Sequence, residues 1–164
     1  MVESGRHWWK GHAGVPKDPG PIKRRALRWI ERYEAKQDPE ELLQAKLGLL
    51  DKQIKIHGVD GGPTANGRGD VAIQLESMGR MDEARVFWEE IVASFRRNRG
   101  DDDLMTAQRE EWLAANLAKS GLSEEALILL NHVEDVYRQA LGNDDKETRR
   151  ARGLIESIEL AEGD

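Results

Sequence analysis

The strongest constraint on this chain is that it repeats itself. Residues 79–106 read G-R-M-D-E-A, then an apolar-spaced run (Val86, Phe87, Trp88, Ile91, Val92, Phe95), then R-G-D-D-D-L-M-T. The pattern returns 42 residues later, with Gly79 on Gly121, Glu83 on Glu125, Ala84 on Ala126, Ile91 on Val133 and Phe95 on Tyr137. Gly100, Asp102 and Thr106 fall on Gly142, Asp144 and Thr148, and, read backwards, on Gly58, Asp60 and Thr64. A fixed period of that size signals helical hairpins stacked side by side, because one hairpin alone cannot hide its apolar face. The chain is therefore expected to be all-α.

Composition agrees and narrows the class. Charged residues make up 34% of the 164-residue chain, against about 25% in an average globular protein. That surplus suits a thin stack with much surface for its volume. The absence of Cys excludes disulfides and thiolate metal sites. No apolar run of about 18 residues exists, and the N-terminus has no apolar h-region. The expected setting is cytoplasmic, with no membrane. The net charge of −6 is uneven: residues 1–40 hold nine Lys/Arg against six Asp/Glu, and residues 41–164 hold sixteen against twenty-five. An acidic body argues against general affinity for nucleic acid.

Residues 1–21 read as a flexible or tacked-down arm, since three prolines and four glycines exclude a long helix. Trp8 and Trp9 are its anchors: they pack on the body of the chain, or they fill a groove or hold a partner. Residues 22–36 form the first helix, with Leu27, Trp29, Ile30 and Tyr33 as its apolar stripe. Its opposite face carries Lys23, Arg24, Arg25, Arg28 and Arg32, read either as a solvated face or as a docking stripe for an acidic peptide or phosphate. The second helix starts at Asp38 (N-cap) and Pro39 and runs to about Ile56. Its buried set, Leu43, Leu47, Leu50 and Ile54, is one residue out of phase with Ala84, Trp88, Ile91 and Phe95. That offset implies one extra residue in the first unit's turn. Gly58 stops this helix.

Because 61–69 carries four glycines, the third helix is expected to start late, near Asp70, and to end at Met78 with Val71, Ala72 and Leu75 inward. The later helices are expected at about 81–98, 104–119, 123–141 and 146–161, with Ser123 as an N-cap. The last would turn Ala151, Leu154, Ile155 and Ile158 inward. It reads as a cap, or as half of a truncated fourth repeat.

G-R-M-D-E-A at 79–84 and G-L-S-E-E-A at 121–126 resemble the tetratricopeptide repeat, in which a Gly turn joins helix A to helix B and a small residue lets the two touch. The 42-residue period and L-G-N-D-D-K-E-T at 141–148 look more like its kinesin-light-chain type. The resemblance covers roughly residues 22–162 of the sequence. It implies a right-handed superhelical stack of three antiparallel helix hairpins plus a C-terminal capping helix, seven helices in all. The implied repeat domain is 22–164, with units of about 22–63, 64–105 and 106–145 and the cap at 146–162. It also implies a concave groove that takes a peptide or protein segment. By that carry-over the groove holds Arg24 and Arg28 from the first unit, Asp70, Ile73, Glu76 and Ser77 from the second, and Gln108, Glu111, Trp112, Ala115, Ala118 and Lys119 from the third. The family often has an Asn nine residues before the turn Gly, where this chain has Asp70 and Trp112. Asp accepts a hydrogen bond but cannot donate one as Asn does, and Trp offers a flat apolar surface instead.

No catalytic constellation is visible. Asp101, Asp102 and Asp103 read as helix caps rather than a metal site, because the next repeat places Asn143, Asp144 and Asp145 in the same slot. His7 and His12 are too few for a closed metal site. Neither His57 nor His132 has a Ser, Cys or paired carboxylate near it in sequence to suggest a relay. The function expected is a non-catalytic scaffold or adaptor that uses no cofactor and no metal, acting as a monomer or weak homodimer. The alternatives are a regulator whose Trp arm fills its own groove, and a nucleic-acid-linked regulator using the basic first helix.

Overall fold

A computed structural model describes residues 38–162, and the elements among them are all helices. In chain order they are α1 (Pro39–His57), α2 (Gly62–Ser77), α3 (Met81–Arg99), α4 (Leu104–Lys119), α5 (Ser123–Leu141) and α6 (Lys146–Glu162). The helix expected at 22–36 and the arm at 1–21 lie outside the described residues. The odd-numbered helices open at Pro39, Met81 and Ser123, and the even-numbered ones at Gly62, Leu104 and Lys146. The sequence period of 42 is thus kept to the residue by every helix start and, α6 aside, by every helix end. Each helix packs on the one before it and the one after it.

Two kinds of joint alternate. The short ones, 78–80 and 120–122, are built on glycines at φ 76° and 77°. At the first, Arg80 N–H donates to Leu75 O (2.9 Å) and Gly79 N–H to Glu76 O (3.0 Å); at the second, Leu122 N–H donates to Leu117 O (2.9 Å) and Gly121 N–H to Ala118 O (3.1 Å). This crossed pair of bonds needs a residue at positive φ, which glycine adopts without strain. Of the longer joints, 58–61, 100–103 and 142–145, the last two end in side-chain caps, whereas Gly61 ends the first without one; Asp38 caps α1 in the same way. Asp38 Oδ1 accepts from Glu40 N–H (2.9 Å), Asp103 Oδ1 from Met105 N–H (2.8 Å) and Asp145 Oδ1 from Glu147 N–H (2.8 Å). The fully buried hydroxyls of Thr64 and Thr148 donate back across their joints to Gly58 O (2.7 Å) and Gly142 O (2.8 Å). Thr106 is equally buried in the middle joint, but its hydroxyl has no hydrogen-bond partner.

α2 is the main departure from expectation. It starts at Gly62, not near Asp70, and runs straight through Gly67 and Gly69. A glycine in a helix interior costs roughly 0.5–1 kcal/mol relative to alanine, but α2 lies between α1 and α3, and tertiary burial outweighs propensity. Thr64, Ala65, Gly67, Arg68, Val71, Ala72, Gln74 and Leu75 are all buried. Gly67 is also where α1 comes close: a Cβ there would sit 1.9 Å from Gln53 Oε1 and 3.3 Å from Leu50 Cδ1.

Three smaller expectations change as well. Ser123 is the first residue of α5 rather than its cap; Leu122 stands at the cap position with no side-chain bond, held there by the Gly121 turn. Leu154 is 36% exposed instead of inward, while Ala151 is fully buried and Ile155 and Ile158 pack partly on the core. The α1 offset is not an inserted residue, because both ends of α1 keep the period. It is a difference of face. Leu43 and Leu50 are buried with α2's Val71, Ala72 and Leu75, whereas the positions matching Ala84 and Ile91 are Leu42, half-buried, and Leu49, 52% exposed.

The core is continuous from α1 to α5 and centres on Trp88, which is 1% exposed. A second cluster of Ala107, Val133, Val136, Tyr137 and Ala151 seats α6. α6 differs from α2 and α4 on one face. Where those helices bury Ala72, Leu75, Ala114 and Leu117, α6 carries Glu156 and Glu159, both exposed.

Candidate interaction surface

The predicted groove positions among the described residues fall on α2 and α4, and side-chain bridges bring those helices together. Glu76 on α2 is the hub. Its Oε1 accepts from Trp88 Nε1 (2.9 Å) and from Asn116 Nδ2 (2.9 Å), and its Oε2 lies 3.1 Å from Lys119 Nζ. Asn116 and Lys119 belong to α4, so the bridge skips α3 and joins two even-numbered helices directly. A second bridge repeats the step from α4 to α6: Glu111 accepts from Arg150 Nε (2.9 Å) and Nη2 (2.7 Å). In both, an acid on the earlier helix meets a base on the later one.

Of the predicted residues, Asp70 and Ser77 are exposed on α2, Ile73 is half-buried against the core, and Ser77 Oγ donates to Gln74 O (2.7 Å). On α4, Gln108, Trp112 and Ala115 are half-buried, and Lys119 is exposed but ion-paired. Glu111 does not face open solvent. It is 7% exposed, with Tyr137 Oη 3.3 Å away as well as Arg150. Burial, then the Glu111 charge, push the Tyr137 phenol well above its ordinary range. Arg24, Arg28, Trp8 and Trp9 lie outside the described residues.

Trp112 sits edge-on to Trp88, centroids 5.6 Å apart at 67°. The Arg109 guanidinium lies 3.9 Å over the Trp112 ring and 4.9 Å from the Phe95 ring, with Arg99 6.0 Å from the same Phe95. Such stacks favour a cation by the ring quadrupole. Burial lowers the Arg109 pKa to about 10, and the nearby Arg99 charge adds to the fall.

The seams between helices hold charges that sequence reasoning missed. Arg68 is 7% exposed; its Nη1 donates to Val59 O (2.6 Å) and its Nε to Glu90 (2.7 Å). One period later the polarity is reversed. Glu110 stands in the Arg68 slot and His132 in the Glu90 slot, 2.6 Å apart. Glu110 is completely buried and also accepts from Arg96 Nε (2.9 Å) and Nη2 (2.5 Å). His132, for which the neighbouring sequence suggests no relay, thus meets the Glu110 carboxylate in the fold, with Asp102 3.5 Å from its other nitrogen. Burial works against the imidazolium, but the bonds and charges of Glu110 and Asp102 prevail and raise its pKa. Only Asp103 of the acidic triplet caps a helix; Asp101 pairs with Arg96 at 3.5 Å. An open pocket of about 330 Å³ lies here, lined by Arg96, Asp101, Ile128, Leu129 and His132. The signal that could have found these seams was a charge recurring at one slot of the period, with its sign free to alternate.

Among the described residues, no group of three or more His, Asp or Glu is placed to hold a metal ion, and no helix is long and apolar enough to cross a membrane. No protein-family model matches the chain, and no curated protein does. A solved structure does: a Podosopora anserina protein assigned as a kinesin light chain, with nearly identical TPR-like repeats. The match has a TM-score of 0.69 at 17% identity and covers 89% of this chain and 70% of that one. At that identity the likeness establishes the fold: the chain carries a tetratricopeptide-like helical repeat.

Proposed function

We propose that the protein is a non-catalytic scaffold that holds a peptide or protein segment along the shared face of its even-numbered helices. The observation that carries this reading is the pair of bridges, Glu76 to Asn116 and Lys119, and Glu111 to Arg150. They lace α2, α4 and α6 along the positions expected to face the groove, with the half-buried Trp112 between them. A stacked repeat offers an extended concave surface by construction, and a half-exposed aromatic is a common anchor for a partner.

In this reading the helices form a right-handed superhelical stack whose units break at the 58–61, 100–103 and 142–145 joints. Residues 22–36 supply the seventh helix and pair with α1. The support is the stripe Leu42, Leu49 and Ile56, the last two 52% and 74% exposed. Two of its three matching positions, Ala84/Ala126 and Ile91/Val133, are buried in α3 and α5. α6 acts as a cap, because Glu156 and Glu159 occupy the places where a following helix would seat against Ala and Leu.

Selection from a random dodecapeptide display library tests the reading. Peptides enriched on the full chain should lose binding when Arg28 is reversed to Glu together with Trp112→Ala, at unchanged helicity. They should keep it when Val86→Asp and Ile128→Asp alter exposed positions on α3 and α5. Equal capture by the first double variant removes the groove from the account.

A further inference from the structure

Arg109 stands apart from the other arginines of the described chain. Arg68, Arg80, Arg85, Arg96, Arg97, Arg138, Arg150 and Arg152 each have a carboxylate oxygen within 3.2 Å. Arg99 reaches Asp103 only at 3.9 Å, and exposed Arg149 has no ion pair. Arg109 is half-buried and has no ion pair either; its one hydrogen bond goes from Nη1 to Gln108 Oε1, at 3.3 Å. A guanidinium carries five donors in a rigid fork, so four are left. The acids beside it in sequence are committed elsewhere, Glu110 to Arg96 and His132, and Glu111 to Arg150 and Tyr137.

The repeat shows that this is particular to one seam. The slots of Phe95, Arg99 and Arg109 hold Gln53, His57 and Gly67 one period earlier, and Tyr137, Leu141 and Ala151 one period later. Among the described residues, only the α3–α4 seam places two guanidiniums around one aromatic ring, in a chain whose net charge is −6. Stacking on Trp112 and Phe95 holds the Arg109 fork in place, which reduces the ordering cost of using it. A desolvated cation without its anion is costly. We infer that Arg109, backed by Arg99, is a receptor for a carboxylate presented by an acidic side chain of the partner segment, seated beside Trp112. Fork geometry on a carboxylate gives two parallel charge-assisted bonds.

This inference names the partner's chemistry and so rests on the interaction reading, but its test needs no partner. The arginine Nε–Hε resonances of the full chain are followed by NMR during titration with N-acetyl-glutamate amide, with N-acetyl-glutamine amide and with inorganic phosphate. Saturable shifts of Arg109 and Arg99 with the glutamate probe, absent with glutamine, are expected. Arg109→Met should weaken that binding about tenfold, and Arg109→Lys by less, since charge remains while the fork is lost. Three results overturn the inference: shifts no larger than those of exposed Arg97 and Arg149, equal response to glutamine, or response to phosphate alone. If dodecapeptide selection succeeds while this titration fails, the groove stands and the carboxylate receptor falls.

Discussion

Arg96→Met isolates the buried ion cluster. Glu110 is fully buried between two cations, Arg96 with its Nη2 at 2.5 Å and His132 with its Nδ1 at 2.6 Å. Removing one partner of a buried pair costs about 3–5 kcal/mol when nothing replaces it. Here His132 can replace it, but only while protonated. The unfolded imidazole titrates near 6.5, and the folded one above that. Its contribution is therefore complete below about 6.5 and is lost as pH rises through the folded value. In the native chain Arg96 still neutralises Glu110 at high pH. Because the His132 side chain is 35% exposed, the native chain should lose only about 1 kcal/mol on that rise. In Arg96→Met the same rise leaves Glu110 without a cation, so the variant should cost about 1 kcal/mol at pH 5.5 and about 3 kcal/mol at a pH above the folded His132 value, located by titrating its ring resonances. Urea unfolding at the two pH values reads the difference as a shift of midpoint at constant slope. The triple Arg96→Met, His132→Gln, Glu110→Gln should be flat across the window. A cost equal within about 0.5 kcal/mol at the two pH values would refute the reasoning, because His132 would then not be compensating.

Four further outcomes follow from the same contacts. Trp88→Ala removes the central core side chain and should cost about 3–5 kcal/mol, with Trp88→Phe losing less, read by thermal unfolding. Gly121→Ala places a Cβ at φ 77° and should destabilise by about 1 kcal/mol, through strain rather than contact, since nothing lies within 4 Å of the new atom. Gly48→Ala and Gly153→Ala sit in open helix positions and should each stabilise by roughly 0.5–1 kcal/mol in the same melts. Asp103→Ala removes the α4 cap and should cost about 1 kcal/mol, against a smaller loss for Asp102→Ala, whose side chain is 93% exposed and caps no helix.

The repeat itself was legible because it is written in residues with narrow conformational roles. Gly79 and Gly121 mark the only positions where the short turns need positive φ, Asp38, Asp103 and Asp145 mark helix starts, and Ala84 and Ala126 mark close approach. These are local requirements, so they recur wherever the period does. The buried apolar positions of α2 and α4 were legible for the same reason: each faces both neighbours and cannot vary freely.

What the sequence could not reveal depends on neighbours that are distant in the chain. α2 looks too rich in glycine to be helical over 62–69, and becomes so only when α1 and α3 cover it. Glu111 has the spacing of a groove residue, yet Arg150, from the next even-numbered helix, takes it out of solvent. His132 acquires Glu110 and Asp102 only when α4 and the preceding joint fold against α5. Periodicity decides where helices begin and end, because those are properties of a few adjacent residues. Which charges meet, and whether a guanidinium is left without an anion, is decided by packing across the seams, where the sign at a slot can reverse from one repeat to the next without disturbing the fold.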